Sequence, residues 1–501
     1  MSEMLMKPEV RNQTVLDLAL EHARKHNIVL PTFAELASPH GVSKDITEKL
    51  KQIPDDEPHP LNLFRINWFN AHEGNESLEH PPYLEVPSSI SGVKARIIVV
   101  LGDSFPMIAA HKVLAAYACL VTRLVTGQFD PVNNKAIWPS TGNYCRGGVA
   151  ISRILGCRGV AVLPEQMSKE RFNWLEKWTL KPEQDIIRTT GSESNVKEIY
   201  DACDELEKDP ASIILNQFNE FANYLCHRNV TGPSLGRLFE AVAGDGEKLQ
   251  AFIAGTGSAG TIAAGDHLKV NYGTKIVATE PLECPTMLNN GYGEHNIQGI
   301  GDKHIPLIHN VMNMDYVVGI SDAGPELLNI LFNTDEGREY LVERTGVSAE
   351  ELEQFKHVGI SGLANIQSAI KLAKHSDMDE RDVILCVATD GAQLYGSELE
   401  QSKSHFFNDK LGQAEVAEIF GRTLSGCEPS HVLELTRLER ERIFNLGYYT
   451  WVEQRGVSME DFDRRKDQRF WDDIASDAEQ WDELIRQFNQ QATGQADAQV
   501  A

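Results

Sequence analysis

The chain has 501 residues, of which 42% are hydrophobic and 24% charged, as expected of a globular protein with a substantial core. Its formal net charge of −26 argues against partners such as nucleic acid or anionic membranes, and no apolar run approaches the roughly 20 residues of a membrane span. The N-terminus lacks the apolar stretch of a signal peptide, and the eight cysteines include no CxxC pair, so we expect reduced thiols in a cytoplasmic protein.

The first 92 residues contain one clear helical pattern followed by an irregular stretch. Residues 12–26 carry apolar side chains at helical spacing, and either Asn12 or Thr14, both residues that favour helix starts, lies near the beginning of the helix. Residues 30–92 are rich in proline, acid and amide. We therefore expect residues 1–92 to form an N-terminal extension that lies over the main body.

From residue 93 onward, strand-like and helix-like segments alternate. Such alternation, with helices of 10 to 15 residues, indicates parallel βαβ units in an α/β sheet covered on both faces. Past residue 396 the sequence becomes charged and helix-favouring, so residues 397–490 are predicted to be a helical extension and residues 491–501 a disordered tail. The predicted strands are 94–102, 136–138, 157–164, 185–189, 212–218, 251–255, 275–281 and 382–391, and the helices between them include 167–178, 195–209, 232–246 and 360–375.

A glycine-rich loop, GTGSAGT at residues 255–261, connects a predicted strand to a helix. Its backbone N–H groups can converge on a phosphate, where the helix dipole also favours negative charge. Gly255, Gly257 and Gly260 satisfy the dinucleotide pattern GxGxxG, and Glu280 follows 20 residues later at the end of the next strand. This segment alone favours an NAD-dependent dehydrogenase. That reading places the loop in mid-chain and leaves the segment around Lys112 without a role.

Lys112 lies in an apolar setting, and the polar turn Ser-Thr-Gly-Asn at residues 140–143 follows it, with Asn143 31 residues after the lysine. Burial disfavours the ammonium form and lowers the pKa of a lysine, and the neutral amine can attack an aldehyde to form a Schiff base. The alternative is a lysine whose stem covers apolar surface while its charged end reaches water.

Taken together, these motifs resemble the fold-type II pyridoxal phosphate enzymes, the superfamily of cysteine synthase and the tryptophan synthase β-subunit. The resemblance covers residues 95–396 and implies a two-domain α/β architecture with parallel-rich sheets flanked by helices, here with helical N- and C-terminal extensions. It implies a catalytic core at 93–396, with a smaller mobile domain at about 113–215, and a homodimer. The matching segments are the Lys112–Asn143 spacing, PSTGN, residues 214–233 with their final TGP, GTGSAGTI, ATEP (278–281) and IQGIG (297–301).

The resemblance also implies a set of site residues around pyridoxal 5'-phosphate. Lys112 would carry the cofactor as a Schiff base, and either Thr389 or Asp390 would face the pyridine nitrogen. Thr389 is the favoured candidate and would leave that nitrogen neutral. Asp390 would instead favour protonation of the nitrogen. Arg146 is either a clamp for a second acidic group on the substrate or a surface charge. His111 would either touch the cofactor phosphate or be a packed core histidine. The remaining cofactor contacts would be Asn143, Gly255, Thr256, Gly257, Ser258 and Ala259, and the substrate contacts Ser140, Thr141, Gly142, Gln217, Tyr144 and Arg146.

The implied activity is that of a lyase or transferase acting at Cβ of a small amino-acid substrate through an aminoacrylate. That intermediate either accepts a nucleophile, as in the β-replacement of cysteine synthase, or hydrolyses in a β-elimination. The resemblance of residues 212–301 to cysteine synthase favours replacement. Elimination, a catalytically silent relative and the NAD-dependent dehydrogenase remain alternatives. His295, His304 and His309 lie in a loop without paired ligands, so no metal site is expected.

Overall fold

Short runs rich in valine, isoleucine and leucine form the strands, and the chain collects them into two sheets. A computed structural model describes residues 7–72 and 76–494. Within these residues one sheet has the order β1-β2-β10-β7-β8-β9-β11 and the other the order β5-β4-β3-β6. The strands are β1 (Tyr83–Val86), β2 (Arg96–Leu101), β3 (Lys135–Pro139), β4 (Arg158–Pro164), β5 (Ile186–Thr189), β6 (Ser212–Ile214), β7 (Lys248–Gly255), β8 (Lys275–Pro281), β9 (Tyr316–Ile320), β10 (Asp382–Ala388) and β11 (Val432–Glu434).

Helices connect most of these strands and cover both sheets. They are α1 (Gln13–His26), α2 (Phe33–Ala37), α3 (Lys44–Leu50), α4 (Ser88–Ser91), α5 (Lys112–Val125), α6 (Asn143–Ile154), α7 (Lys169–Trp178), α8 (Pro182–Asp185), α9 (Val196–Leu206), α10 (Phe221–Cys226), α11 (Gly232–Val242), α12 (Ala264–Tyr272), α13 (Thr286–Asn289), α14 (Ala323–Asn333), α15 (Asp335–Thr345), α16 (Ala349–Glu353), α17 (Ile360–His375), α18 (Gly396–Phe407), α19 (Gln413–Phe420), α20 (Arg437–Asn445), α21 (Met459–Arg464), α22 (Gln468–Ser476) and α23 (Ala478–Thr493).

The parallel-rich α/β architecture is confirmed. In the larger sheet β10 lies between β2 and β7 and is parallel to both, while β8 and β9 continue the parallel order. The two edge strands of this sheet differ from the expected parallel order. Strand β1 pairs antiparallel with β2, and β11 pairs antiparallel with β9. Strands β1, β9 and β11 were not predicted from the sequence, and the predicted strand at 212–218 is shorter, ending at Ile214.

Alternating side chains bury both faces of the smaller sheet, as helices on each side require. Ile137 and Val160 pack in one apolar cluster with Ile199 of α9, whereas Trp138 and Ala161 belong to the main core on the other face. The larger sheet is divided in the same way between two apolar clusters. The sheets are therefore rigid supports for the loops at the strand ends.

The two terminal extensions contact each other. Asp482 of α23 accepts hydrogen bonds from the first N–H groups of α2, Phe33 N at 2.6 Å and Ala34 N at 3.0 Å, and Asn489 binds the backbone of Leu30. Helix α23 continues to Thr493, into the stretch that was expected to be disordered, and residues 495–501 lie outside the described residues.

All eight cysteines are free and buried, as expected for reduced thiols. No helix among residues 7–72 and 76–494 has the length and apolar character needed to cross a membrane.

Candidate active site

The carboxyl ends of the parallel strands β2, β7 and β10 lie side by side in the larger sheet. The chain segments that follow these ends form the candidate site. The backbone around Ala110 pairs with Asp390 after β10, and the N–H of His111 donates to the carbonyl of Thr389 at 3.1 Å. Gly102 after β2 lies so close that a Cβ there would come within 2.7 Å of the Thr389 carbonyl oxygen. These contacts at the carboxyl ends of β2 and β10 set the position of the first turn of α5.

Lys112 is the first residue of α5, and its side chain points inward, with only 9% of the residue exposed. Its Nζ donates to Ser258 Oγ at 3.0 Å and to Gln217 Oε1 at 3.4 Å. Burial lowers the pKa of Lys112 to about 8, although the carboxyl groups of Asp302 and Glu193 oppose the shift. A neutral nucleophilic amine is thus accessible at moderate pH, inside the protein and beside the glycine-rich loop.

The loop from Gly255 to Gly260 is shaped to bind an anion. The backbone N–H groups of Gly257, Ser258, Ala259 and Gly260 donate no hydrogen bond within the described residues, and Ala259 has a left-handed φ of +62°. Consecutive unpaired N–H groups in such a turn form a concave anion site. At Gly260 a Cβ would come within 2.2 Å of Asn223 Oδ1. The loop therefore fits a phosphate group, and glycine at 260 keeps it close to Asn223.

The other predicted loop residue with a side-chain donor, Thr256, is engaged elsewhere. Its N–H and its hydroxyl both donate to the carbonyl of Thr279, at 3.0 and 3.1 Å. Its carbonyl accepts from the N–H of Gly301 at 2.7 Å. Thr256 thus anchors the loop to the neighbouring strand and leaves anion binding to the residues that follow it.

His111 supports the far end of this loop. Its Nε2 lies 2.8 Å from Thr261 Oγ1, and its ring stacks on Trp68 with a centroid distance of 5.2 Å. Complete burial lowers the pKa of His111 to about 3, so the ring is neutral at physiological pH. Thr261 directly follows the loop residues 257–260, whose N–H groups donate no hydrogen bond within the described residues.

A buried polar network orders Asn143, the first residue of α6. Its amide donates to Asp390 Oδ2 at 2.6 Å, and its Oδ1 accepts from Arg146 Nη1 at 2.9 Å. Arg146 also donates to the carbonyl of Ile108 at 2.8 Å, and Tyr395 donates to Asp390 Oδ2 at 2.9 Å. Burial lowers the pKa of Arg146 to about 10. Arg146 is therefore a buried side chain that orients Asn143.

The two candidates for the pyridine nitrogen differ in their surroundings. Both carboxylate oxygens of Asp390 accept hydrogen bonds from Tyr395, and one also accepts from Asn143. The half-buried hydroxyl of Thr389 forms no hydrogen bond within the described part of the chain. Thr389 thus has the free polar group, while Asp390 holds the network around Asn143.

The turn at residues 140–143 faces an acidic side chain. Ser140 Oγ accepts from Gly142 N at 3.0 Å, and Gly142 adopts a φ of +155° that glycine tolerates. The hydroxyl of Thr141 donates to Glu193 Oε1, which also accepts from the N–H of Gly299 at 2.9 Å. Tyr144 points away from the turn and donates to the carbonyl of Leu215 at 3.1 Å.

Glu193 and Asp302 were not predicted from the sequence to be site residues. Glu193 Oε2 and Asp302 Oδ2 are buried and have no hydrogen-bond partner among the described residues. Burial raises the pKa of Glu193 to about 7 and raises that of Asp302 well above its ordinary value; each carboxyl group interacts electrostatically with Lys112. Asp302 directly follows the IQGIG segment, so that motif could have pointed to it. Glu193 lies in a loop without a motif, so no sequence pattern indicates it.

Glu280, which the dinucleotide pattern would assign to a ribose, has a different role. Its carboxylate accepts from the N–H groups of Met287 at 2.9 Å and Leu288 at 2.7 Å, at the start of α13. The side chain is buried, with 2% of the residue exposed. This acid is satisfied within the protein, so the geometry does not support a dinucleotide at this loop.

Comparison with known proteins likewise points to a pyridoxal phosphate enzyme rather than to a dinucleotide-binding enzyme. The family model described as "Pyridoxal-phosphate dependent enzyme" matches residues 78–390. The chain is 29% identical over 283 residues to a probable cysteine synthase of Bacillus subtilis, covering 56% of this chain and 82% of that protein. It is 30% identical over 254 residues to cysteine synthase B of Campylobacter jejuni, covering 50% of this chain and 74% of that protein.

Solved structures share the fold at lower identity. O-acetyl serine sulfhydrylase isoform 3 from Entamoeba histolytica aligns with a TM-score of 0.54 at 21% identity, covering 69% of this chain and 93% of that one. A hydrogen sulfide-producing enzyme from Fusobacterium nucleatum aligns with a TM-score of 0.53 at 21% identity, covering 66% and 98%. Much of the terminal extensions lies outside the family match.

Proposed function

The chain belongs to the pyridoxal-phosphate dependent enzyme family, and on that premise we propose that it replaces a substituent on Cβ of an amino acid, as a cysteine synthase does. The observation that carries the proposal is the inward-facing Lys112, whose amine lies 3.0 Å from the anion-binding loop at Ser258. The similarity to the cysteine synthases of B. subtilis and C. jejuni supports replacement as the reaction type.

The residues present fit pyridoxal 5'-phosphate. Lys112 would hold it covalently, and the free N–H groups of residues 257–260 would bind its phosphate. The amide of Asn143 would face the ring oxygen and the free hydroxyl of Thr389 the ring nitrogen. When bound, the cofactor supplies an electron sink that makes the Cα proton of an amino acid acidic.

Lys112 is the base that the site offers for that proton. A general base acts best when its pKa lies near the working pH, and burial has moved the pKa of Lys112 to about 8. Gln217 and Ser258 accept hydrogen bonds from its Nζ and so define the direction in which the amine points. We assign the transfer of the Cα proton to this Nζ.

The substrate carboxylate would bind at the turn of residues 140–143, on the hydroxyl of Thr141 and the N–H groups at the start of α6. Glu193 already takes the hydroxyl of Thr141 and the N–H of Gly299. A substrate carboxylate that binds Thr141 must displace Glu193, so this side chain acts as an internal competitor for the amino acid. Because Glu193 is buried and its pKa is raised to about 7, its displacement is easier when it is protonated.

β-Elimination is the second candidate, and the buried carboxyl of Asp302 favours it. Asp302 Oδ2 has no partner in the described residues, and Lys112 interacts with this carboxyl group electrostatically. Because burial keeps this carboxyl group protonated, it can act as a general acid that donates a proton to the group leaving Cβ, the step on which elimination depends.

We further propose that the protein is cytoplasmic, in keeping with its eight free, buried cysteines, and that it forms a homodimer, as its resemblance to the family implies. The smaller sheet, within residues 113–215, would be the mobile unit. Its loops carry Thr141 and Glu193, the two residues that must separate when a substrate binds.

The test is product analysis on the purified holoenzyme, with candidate amino acids supplied with and without sulfide. Replacement predicts a thiol amino acid that forms only when sulfide is present. A keto acid and ammonia formed regardless of sulfide would instead establish elimination. Lys112→Ala should give no product and no cofactor fixed by borohydride, while Lys177→Ala, on the exposed side of α7, should behave as wild type.

A further inference from the structure

Three potential metal-ligating side chains from distant parts of the chain converge outside the cofactor site. His72 Nε2 lies 2.6 Å from Asp103 Oδ1, and His357 Nδ1 lies 2.7 Å from Asp103 Oδ2. The two imidazole rings are tilted by 34°, with their centroids 3.9 Å apart. The ligand atoms of the three residues all lie within 4.8 Å of one another.

This donor set has the composition of a transition-metal site. Two imidazoles and one carboxylate are ligands that zinc and similar divalent ions accept, with further positions left for water. At metal–ligand distances of about 2.0–2.2 Å, tetrahedral geometry places ligand atoms roughly 3.3–3.6 Å apart, so each imidazole would need to move roughly 0.6–1 Å away from Asp103. The calcium and magnesium ions, which prefer oxygen ligands, fit this set less well.

The cluster is open to solvent and lies between the N-terminal extension and the catalytic core. The side chains of His72 and His357 are 22% and 15% exposed, whereas that of Asp103 is 4% exposed, so the site opens toward solvent on the histidine side. His72 belongs to the N-terminal extension, Asp103 follows β2, and His357 precedes α17. An ion held by all three would tie the extension to the core.

The same cluster borders the cofactor site. A Cβ on Gly391 would come within 2.9 Å of Asp103 Oδ2 and 2.2 Å of Gln393 Oε1. Gly391 directly follows Asp390, which organises the network around Asn143. An ion at this point would therefore stiffen the segment on one side of the site without touching substrate or cofactor.

We propose that His72, Asp103 and His357 bind one divalent transition-metal ion of the zinc class, and that this ion fastens the N-terminal extension to the catalytic core. The sequence predicted no metal site, because its three ligands are separated by 31 and 254 residues and belong to no spaced motif. The cysteines, being buried, offer no competing exposed thiol site in the described part of the chain.

The experiment is calorimetric titration of the chelator-treated, full-length holoenzyme with Zn²⁺, together with metal analysis after dialysis. The proposal expects one Zn²⁺ per chain and a melting temperature that rises with Zn²⁺. Asp103→Asn and His357→Ala should each weaken binding by more than the roughly 10- to 100-fold typical of outer-shell changes. His375→Ala, at the exposed end of α17, is the matched control and should bind as wild type.

Two results would overturn the proposal. One is wild-type protein that binds less than one Zn²⁺ per chain, which would leave the cluster as a hydrogen-bonded triad. The other is equal Zn²⁺ binding in wild type and His357→Ala. If His357→Ala fails to fold, His357→Gln keeps the polar contact and removes the imidazole, and it should still lose the bound ion. The visible spectrum of the cofactor reports separately that the catalytic site is intact.

Discussion

Replacement of Glu193 by alanine should tighten the binding of the amino-acid substrate. In the structure Glu193 Oε1 accepts from the hydroxyl of Thr141 and from the N–H of Gly299. The proposed function assigns the hydroxyl of Thr141 to the substrate carboxylate. Removing the internal carboxylate leaves both donors free, so the substrate no longer has to displace it.

The size of the effect follows from the two hydrogen bonds that the substrate must break in the wild type. A typical hydrogen bond contributes about 0.5–1.5 kcal/mol net, so the pair should contribute ~1–3 kcal/mol. This corresponds to a decrease of roughly 5- to 150-fold in the dissociation constant of the amino acid. Burial raises the pKa of Glu193 to about 7, and the ionised form is the stronger acceptor. Wild-type affinity should therefore weaken as the pH rises through about 7, and this step should be absent in Glu193→Ala.

The assay is titration of the cofactor's visible spectrum with the amino acid at several pH values. Glu193→Gln keeps a neutral acceptor and should give an intermediate constant without the pH step. Glu205→Ala, on the exposed surface of α9, should match wild type. Unchanged or weaker binding in Glu193→Ala would refute the idea that this carboxylate competes with the substrate.

Four further predictions concern the cofactor side of the site. Burial lowers the pKa of Lys112 to about 8, so cofactor capture by the apo-protein, followed by stopped-flow absorbance, should accelerate with pH up to about 8 and then level off. Gly260→Ala should weaken cofactor binding in equilibrium dialysis, because the added Cβ meets Asn223, whereas Gly421→Ala, where a Cβ meets nothing within 4 Å, should not. Arg146→Met removes two buried charge-assisted hydrogen bonds and should lower the free energy of unfolding in urea by about 3 kcal/mol. Thr389→Val should shift the cofactor's visible spectrum if its hydroxyl faces the ring nitrogen, and an unchanged spectrum would argue against that contact.

The fold could be predicted where the pattern is local. The apolar period of residues 360–375 predicts α17 over the range that the structure shows, because sixteen residues at helical spacing leave little ambiguity. Strand β11 has only three residues, Val432–Glu434, and pairs with β9 more than a hundred positions earlier. No period can be read in three residues, so this antiparallel edge becomes visible only in three dimensions.

The same contrast applies to the site. Lys112 and Ser258 lie in short motifs whose residue types already indicate an amine and an anion-binding loop. Glu193 contacts Thr141 across 52 residues and Gly299 across 106, and no motif surrounds it. For Arg146 the sequence left a substrate clamp and a surface charge open. The structure instead places its guanidinium on Asn143 and on the Ile108 carbonyl, a role that depends on how α6 packs.

The N-terminal extension also supports the candidate cofactor site through direct contacts, although its composition differs from that of the chain after residue 92. Trp68 is fully buried, stacks on His111 and donates its indole N–H to Thr231 Oγ1 at 2.9 Å. His111 in turn contacts Thr261 at the end of the anion-binding loop. A chain that began at residue 93 would leave one face of His111 without its stacking partner and would lose the large apolar surface that Trp68 buries there. Since Asp482 of α23 caps α2 of the same extension, the last helix in turn holds the extension that supports the candidate cofactor loop.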